Sequence, residues 1–115
     1  MGRVYRIIEI SSNRAKQSAI ALVDTGADET VINEELASKL KLKTYGRFLA
    51  KCASQTLLEG KYADVRIKEL KTGKETELKV GISSVPFHTD DIDEEGLDVI
   101  LGVDFMQKMG LEIPI

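Results

Sequence analysis

The chain has 115 residues, a length that suits one domain over 1–115 and is too short for the paired large domains of nucleotide-sandwiching kinases and ATPases. Its formal net charge of −3 speaks against a nucleic acid or an anionic membrane as partner, and no apolar run is long enough to cross a bilayer as a helix. With one cysteine (Cys52) and one histidine (His88), an internal disulfide is excluded and a Cys/His metal site is starved of ligands, so neither metal nor other cofactor is expected. The lone cysteine and the lack of a signal-peptide pattern at the start lead to the expectation of a reducing, cytoplasmic setting.

Residues 4–10 read as a first strand, rich in β-branched side chains, and Ser11-Ser12-Asn13 supplies turn chemistry. Residues 18–23 are apolar at nearly every position, which predicts a second strand covered on both faces. It runs into Asp24-Thr25-Gly26-Ala27-Asp28, after which residues 30–32 suggest a short third strand. Asn33 is a good N-cap, Glu34 and Glu35 suit the first turn, and Leu36 and Leu40 share a face. A helix of about two turns is expected there.

A long β signal, interrupted in its middle, covers residues 47–69. Toward its end Ala63, Val65 and Ile67 alternate with Asp64, Arg66 and Lys68; beyond a Thr72-Gly73 turn, Leu78, Val80 and Ile82 alternate again. The pair predicts an antiparallel hairpin with one wet face. Residues 83–96 form a polar connection whose acidic run, 90–95, lacks the ligand pattern of a calcium loop and is expected to be solvated. One more buried strand (98–101) ends at Gly102, a short helix (104–109) stops at Gly110, and 111–115 reads as extended. The fold class expected is all-β, mainly strands with one or two short helices.

An apolar strand that delivers Asp24 into a turn presents a carboxylate at a strand end. Gly26 leaves room for another chain to approach, and Thr25 offers a hydroxyl to lock the loop. A carboxylate held beside a second one cannot easily ionise together with it, so such a pair supplies an acid and a base at once. The sequence holds a single Asp-Thr-Gly unit; Asp64, Asp90, Asp91, Asp93, Asp98 and Asp104 lack the following Thr/Ser-Gly. If a dyad is the mechanism, the second Asp24 comes from a second copy of the chain. One internal echo fits that geometry: the apolar strand leading to Asp24 and the apolar strand leading to Gly102 are each followed by a short helix.

The segment from Leu22 to Asp28, followed by Val31-Ile32, resembles the active-site segment of retropepsins, the single-domain aspartic peptidases of retroviruses and their cellular relatives. Ile100-Leu101-Gly102 and the helix behind it resemble that family's second signature, so the likeness spans nearly the whole chain. The resemblance implies a closed β-barrel of the acid protease fold, a homodimer, and hydrolysis of peptide bonds in a peptide or protein substrate. Asp24 would be the catalytic carboxylate and Thr25 would tie the two active-site loops together beside Gly26. Gly26, Ala27 and Asp28 would contact an extended peptide, and Cys52, Ala53, Ser54 and Gln55 would form the tip of a flap closing over it. Two departures stand out. The flap tip has no glycine where the family is usually glycine-rich, and Val103 stands where many members carry an arginine paired to the residue matching Asp28. The first keeps a second function open: a dimerising, peptide-binding module of the same fold with little or no proteolysis.

Overall fold

The computed structural model describes residues 4–51, 57–84 and 97–110. Within them the chain runs through β1 (Val4–Ser11), β2 (Lys16–Val23), β3 (Val31–Asn33), α1 (Glu34–Lys39), β4 (Tyr45–Lys51), β5 (Leu57–Glu69), β6 (Glu75–Ser83), β7 (Leu97–Leu101) and α2 (Val103–Met109). The strands lie in the order β1-β2-β7-β3-β6-β5-β4, and β1 also pairs with β5. That last pairing closes six strands into a barrel, leaving β4 as an extension of β5 outside the ring. The fold is mostly β with two short helices, as the strand-rich pattern leads one to expect.

Period-two alternation decides which side chains fill the barrel. Ile8 and Ile10 of β1, Ala63, Val65 and Ile67 of β5, and Leu78, Val80 and Ile82 of β6 all point into one core. α2 plugs it with Phe105, Met106 and Met109, while α1 contributes Leu36 and Ala37, with Leu40 at its C-cap. The turn at Ser12 is held by its own side chain, whose Oγ accepts from the N–H groups of Arg14 and Ala15 at 3.1 and 3.2 Å. α1 starts where Asn33 Oδ1 accepts from Leu36 N–H at 2.8 Å, and α2 stops at Gly110 in the left-handed region, φ 64°.

Two expectations need correction. β2 is not covered on both faces: Ala19 and Ala21 face the core, but Ile20 is 53% exposed beside its cross-strand partner Ile7, itself 59% exposed. An apolar run shows only that both faces avoid polar groups, and a barrel has one inside. The third strand begins at Val31, and Thr30 before it is fully buried as a hydrogen-bonding hub. The flap tip Cys52-Ala53-Ser54-Gln55, the acidic run 90–95 and the extended segment 111–115 lie outside the described residues.

Glu69 continues the inward alternation of β5 and is only 1% exposed. Burial by itself would push its carboxyl up. Hydrogen bonds from Thr72 Oγ1 (2.6 Å) and from the N–H groups of Thr72 and Lys71 (2.8 and 3.0 Å), together with the charge of Arg6, outweigh that and hold it below the ordinary glutamate value. A depressed folded value contributes stability above the unfolded carboxyl's value, and this is lost as pH falls through the folded one. Glu69→Gln should therefore cost on the order of 1–2 kcal/mol at neutral pH. Urea midpoints of the two proteins should converge as pH is lowered through the carboxylate range; a constant gap would contradict the assignment.

Candidate active site

β2 and β7 run parallel, with Ala21, Leu22 and Val23 opposite Val99, Ile100 and Leu101, so their two ends arrive side by side. The two apolar strands of the sequence echo are therefore direct neighbours. Asp24 N–H extends the pairing by donating to Leu101 O at 2.9 Å. Past the strand end the chain turns: Ala27 N–H donates to Asp24 O at 3.1 Å, and Gly26 N–H donates to Asp24 Oδ1 at 2.9 Å. One carboxylate oxygen is thus fixed by the backbone of its own loop, and the other is left to face whatever enters.

Behind that loop stands a clasp built from the far end of the sequence. Thr30 Oγ1 donates to Asp104 Oδ1 at 2.8 Å and accepts from Gly102 N–H at 3.1 Å, while Thr30 N–H donates to Asp104 Oδ2 at 3.1 Å. Val103 N–H and Asp104 N–H donate to the carbonyls of Ala27 and Asp28 at 2.8 and 3.3 Å. The N-terminal turn of α2 thereby binds the back of the active-site loop. Gly102 is required for close approach: a Cβ there would lie 2.7 Å from Glu29 C and 2.8 Å from Ala27 O.

In front of the loop opens a cleft of about 410 Å³. Asp24, Gly26, Ala27, Asp28 and Glu29 form one wall, and Val31, Ile100, Leu49, Ala50 and Tyr62 the other. Val31 and Phe48 form a small second core beneath it, with Ala50 and Tyr62 against them. Glu29 and Tyr62 join the two walls: Tyr62 Oη donates to Glu29 at 3.0 Å to Oε2 and 3.2 Å to Oε1. Burial, then the bonded Glu29 carboxylate, raises the Tyr62 phenol above its ordinary value, so it stays a donor.

Of the residues singled out in the sequence, Asp24, Gly26, Ala27 and Asp28 come together in the cleft. Thr25 is exposed, and its hydroxyl makes no hydrogen bond among the described residues, so the lock inside the loop is made by Asp24 and Thr30 instead. Asp28 is exposed and its carboxylate takes no hydrogen bond among the described residues, as the valine at 103 implies. Cys52, Ala53, Ser54 and Gln55 lie outside the described residues. Glu29, Thr30, Tyr62 and Asp104 are site residues that sequence reasoning missed. Among the described residues no three His, Cys, Asp or Glu side chains converge as a metal site.

Residues 9–108 match the family model described as gag-polyprotein putative aspartyl protease. No curated protein sequence matches significantly. In fold the chain is similar to the EIAV protease complexed with the inhibitor HBY-793, with TM-score 0.72 and 22% identity over 99% of this chain and 94% of that one. It is also similar to the retroviral protease-like domain of Ddi1 from Leishmania major, with TM-score 0.55 and 14% identity over 100% of this chain and 83% of that one.

The clasp is directly testable. Thr30→Val keeps the shape but leaves Gly102 N–H and the Asp104 carboxylate without their buried partner, at a cost of about 1–3 kcal/mol. Thermal unfolding should fall by roughly 5–15 °C, and Thr30→Ser should recover most of the loss. Equal melting of Thr30→Val and wild type would remove the clasp from the account.

Proposed function

Because the chain belongs to the gag-polyprotein putative aspartyl protease family, we propose that it is an aspartic endopeptidase whose active site is completed by a second copy of itself. The observation that carries this is Asp24, held by Gly26 N–H at 2.9 Å at the wall of a cleft, in a sequence that contains no second Asp-Thr-Gly unit. A partner is also favoured by the outward face of β1 and β2, where Tyr5, Ile7 and Ile20 are exposed and Tyr5 pairs with Leu22, two residues before Asp24. Thr25 then reaches across to the other loop with a hydroxyl that makes no hydrogen bond among the described residues.

One Asp24 carboxylate accepts a proton from a water molecule as the water oxygen attacks the scissile carbonyl carbon. The other, protonated, donates to the carbonyl oxygen, giving a tetrahedral intermediate with no covalent bond to the protein. The roles then reverse: the protonated carboxyl gives its proton to the leaving amine, and the C–N bond breaks. The substrate lies extended along Gly26, Ala27 and Asp28 and takes strand-like hydrogen bonds. A cytoplasmic setting suits the single thiol. The lack of glycine in Cys52-Ala53-Ser54-Gln55 favours a second reading, a dimerising peptide-binding module with little cleavage.

Asp24→Asn keeps the shape and loses the acid/base pair. Cleavage of a peptide library should drop by about 10²–10⁴-fold while sedimentation still reports the dimer. Activity needs one proton on the pair, so the wild-type rate should trace a bell against pH with its optimum on the acidic side of neutral. A flat profile or an active Asp24→Asn would place the chemistry elsewhere. A protein that sediments as a monomer at every concentration would remove the dyad.

A further inference from the structure

A second concavity of about 1190 Å³ lies between the β1–β2 turn, the segment after α1, and the outer face of the β5–β6 hairpin. Its wall carries six basic residues against two acidic ones, in a chain whose net charge is −3. We propose that this groove is an exosite for an acidic stretch of a protein substrate flanking the scissile bond, an inference that rests on the peptidase reading above.

Much of the positive charge is uncommitted. Arg66 is occupied by Glu77 at 2.8 Å and Glu75 at 3.6 Å. Arg14, Lys41 and Lys43 are exposed and have no carboxylate within salt-bridge distance among the described residues. Among the described residues Lys108 donates only to a backbone carbonyl, Glu77 O at 3.2 Å, which leaves its charge available. Lys41 moreover has φ 54°, a left-handed position just past α1 where glycine or asparagine is the low-cost choice. A lysine there spends backbone energy to put an ammonium at this mouth.

The groove also lies next to the cleft. Tyr45 on its wall faces Tyr62 of the cleft at 6.3 Å between ring centroids, and Lys79 Nζ sits 4.4 Å above the Tyr62 ring. A chain leaving the cleft past Tyr62 passes directly into the basic region. The local chemistry favours a peptide over a nucleic acid. Asp64 and Glu77 on the wall repel a continuous run of phosphates, and the Tyr45 hydroxyl is tied to Asp64 at 2.6 Å, which holds the ring away from free stacking. Separated carboxylates can settle on the free cations and avoid both acids.

The test uses labelled peptides that share one cleavable core and carry either a glutamate-rich or a glutamine-rich extension. Their binding to the Asp24→Asn protein is read by fluorescence anisotropy at low and high salt, and their cleavage is measured with wild type. The glutamate-rich peptide should bind about tenfold tighter at low salt, lose that advantage at high salt, and show it as a lower KM with little change in kcat. The variant Arg14→Gln/Lys41→Gly/Lys43→Gln, whose backbone change relieves the left-handed position, should erase the advantage while cleaving the unextended core as wild type does. Equal binding of the two peptides, an advantage that survives in the triple variant, or tighter binding of a single-stranded oligonucleotide than of the acidic peptide would each overturn the exosite. Charge-selective binding with no cleavage of any peptide would remove the peptidase reading and uphold the groove.

Discussion

The Thr30 hydroxyl is the point on which the two halves of the site depend. It donates to one end of the chain's last helix and accepts from the glycine before that helix, both from a position with no access to water. Buried polar groups are costly when unpaired, so the hydroxyl and the N–H of Gly102 depend on each other, and the half-buried Asp104 carboxylate gives the hydroxyl its acceptor. The arrangement fixes where Asp28 and Glu29 run, and through Ala27 O it fixes the turn that aims Asp24. The Asp24 carboxylate stays partly exposed, while Thr30 and Gly102, which hold its loop from behind, are buried.

The same division governs the charges. The cleft wall gathers Asp24, Asp28 and Glu29, and no basic residue lines it among the described residues. Glu29 is moderated by the Tyr62 hydroxyl, whereas the Asp28 carboxylate takes no hydrogen bond among the described residues and remains in solvent. On the far side of the two tyrosines the sign of the surface reverses. The tyrosines sit on the seam between these fields, and their ring faces and hydroxyls tolerate a cation on one side and carboxylates on the other.

Local physics was readable in advance and long-range physics was not. The Asn33 cap, the Thr72-Gly73 turn and the Gly110 stop each depend on neighbours within a few residues, so the sequence carries them openly. The inward face of β5 follows from alternation, and the same alternation carries on to Glu69; continuing the pattern by one more residue and noting the turn N–H groups beyond it exposes the buried carboxylate. Thr30 and Asp104 lie 74 residues apart, and neither looks unusual without its partner. The apolar run of β2 misled for a different reason: hydrophobicity reports transfer preference, and Ile20 satisfies it only if something beyond the described residues covers it.

Symmetry adds a consequence for how the cleft and the groove work together. If a second copy completes the cleft, a twofold axis passes between the Asp24 side chains and generates two grooves, one beyond each end of a shared channel. A peptide has direction and the dimer does not, so either flank of the scissile bond meets an equivalent basic wall. Selection by charge is then indifferent to which side of the bond the acidic stretch lies on, and sensitive to its distance from the bond. A stretch too close to the bond stays within the acidic part of the cleft, where Asp28 and Glu29 repel it. One further out passes Tyr62 and Tyr45 and reaches Lys41 and Lys43. In such a dimer the two fields would act as a ruler along a bound peptide, with the seam of tyrosines as its mark.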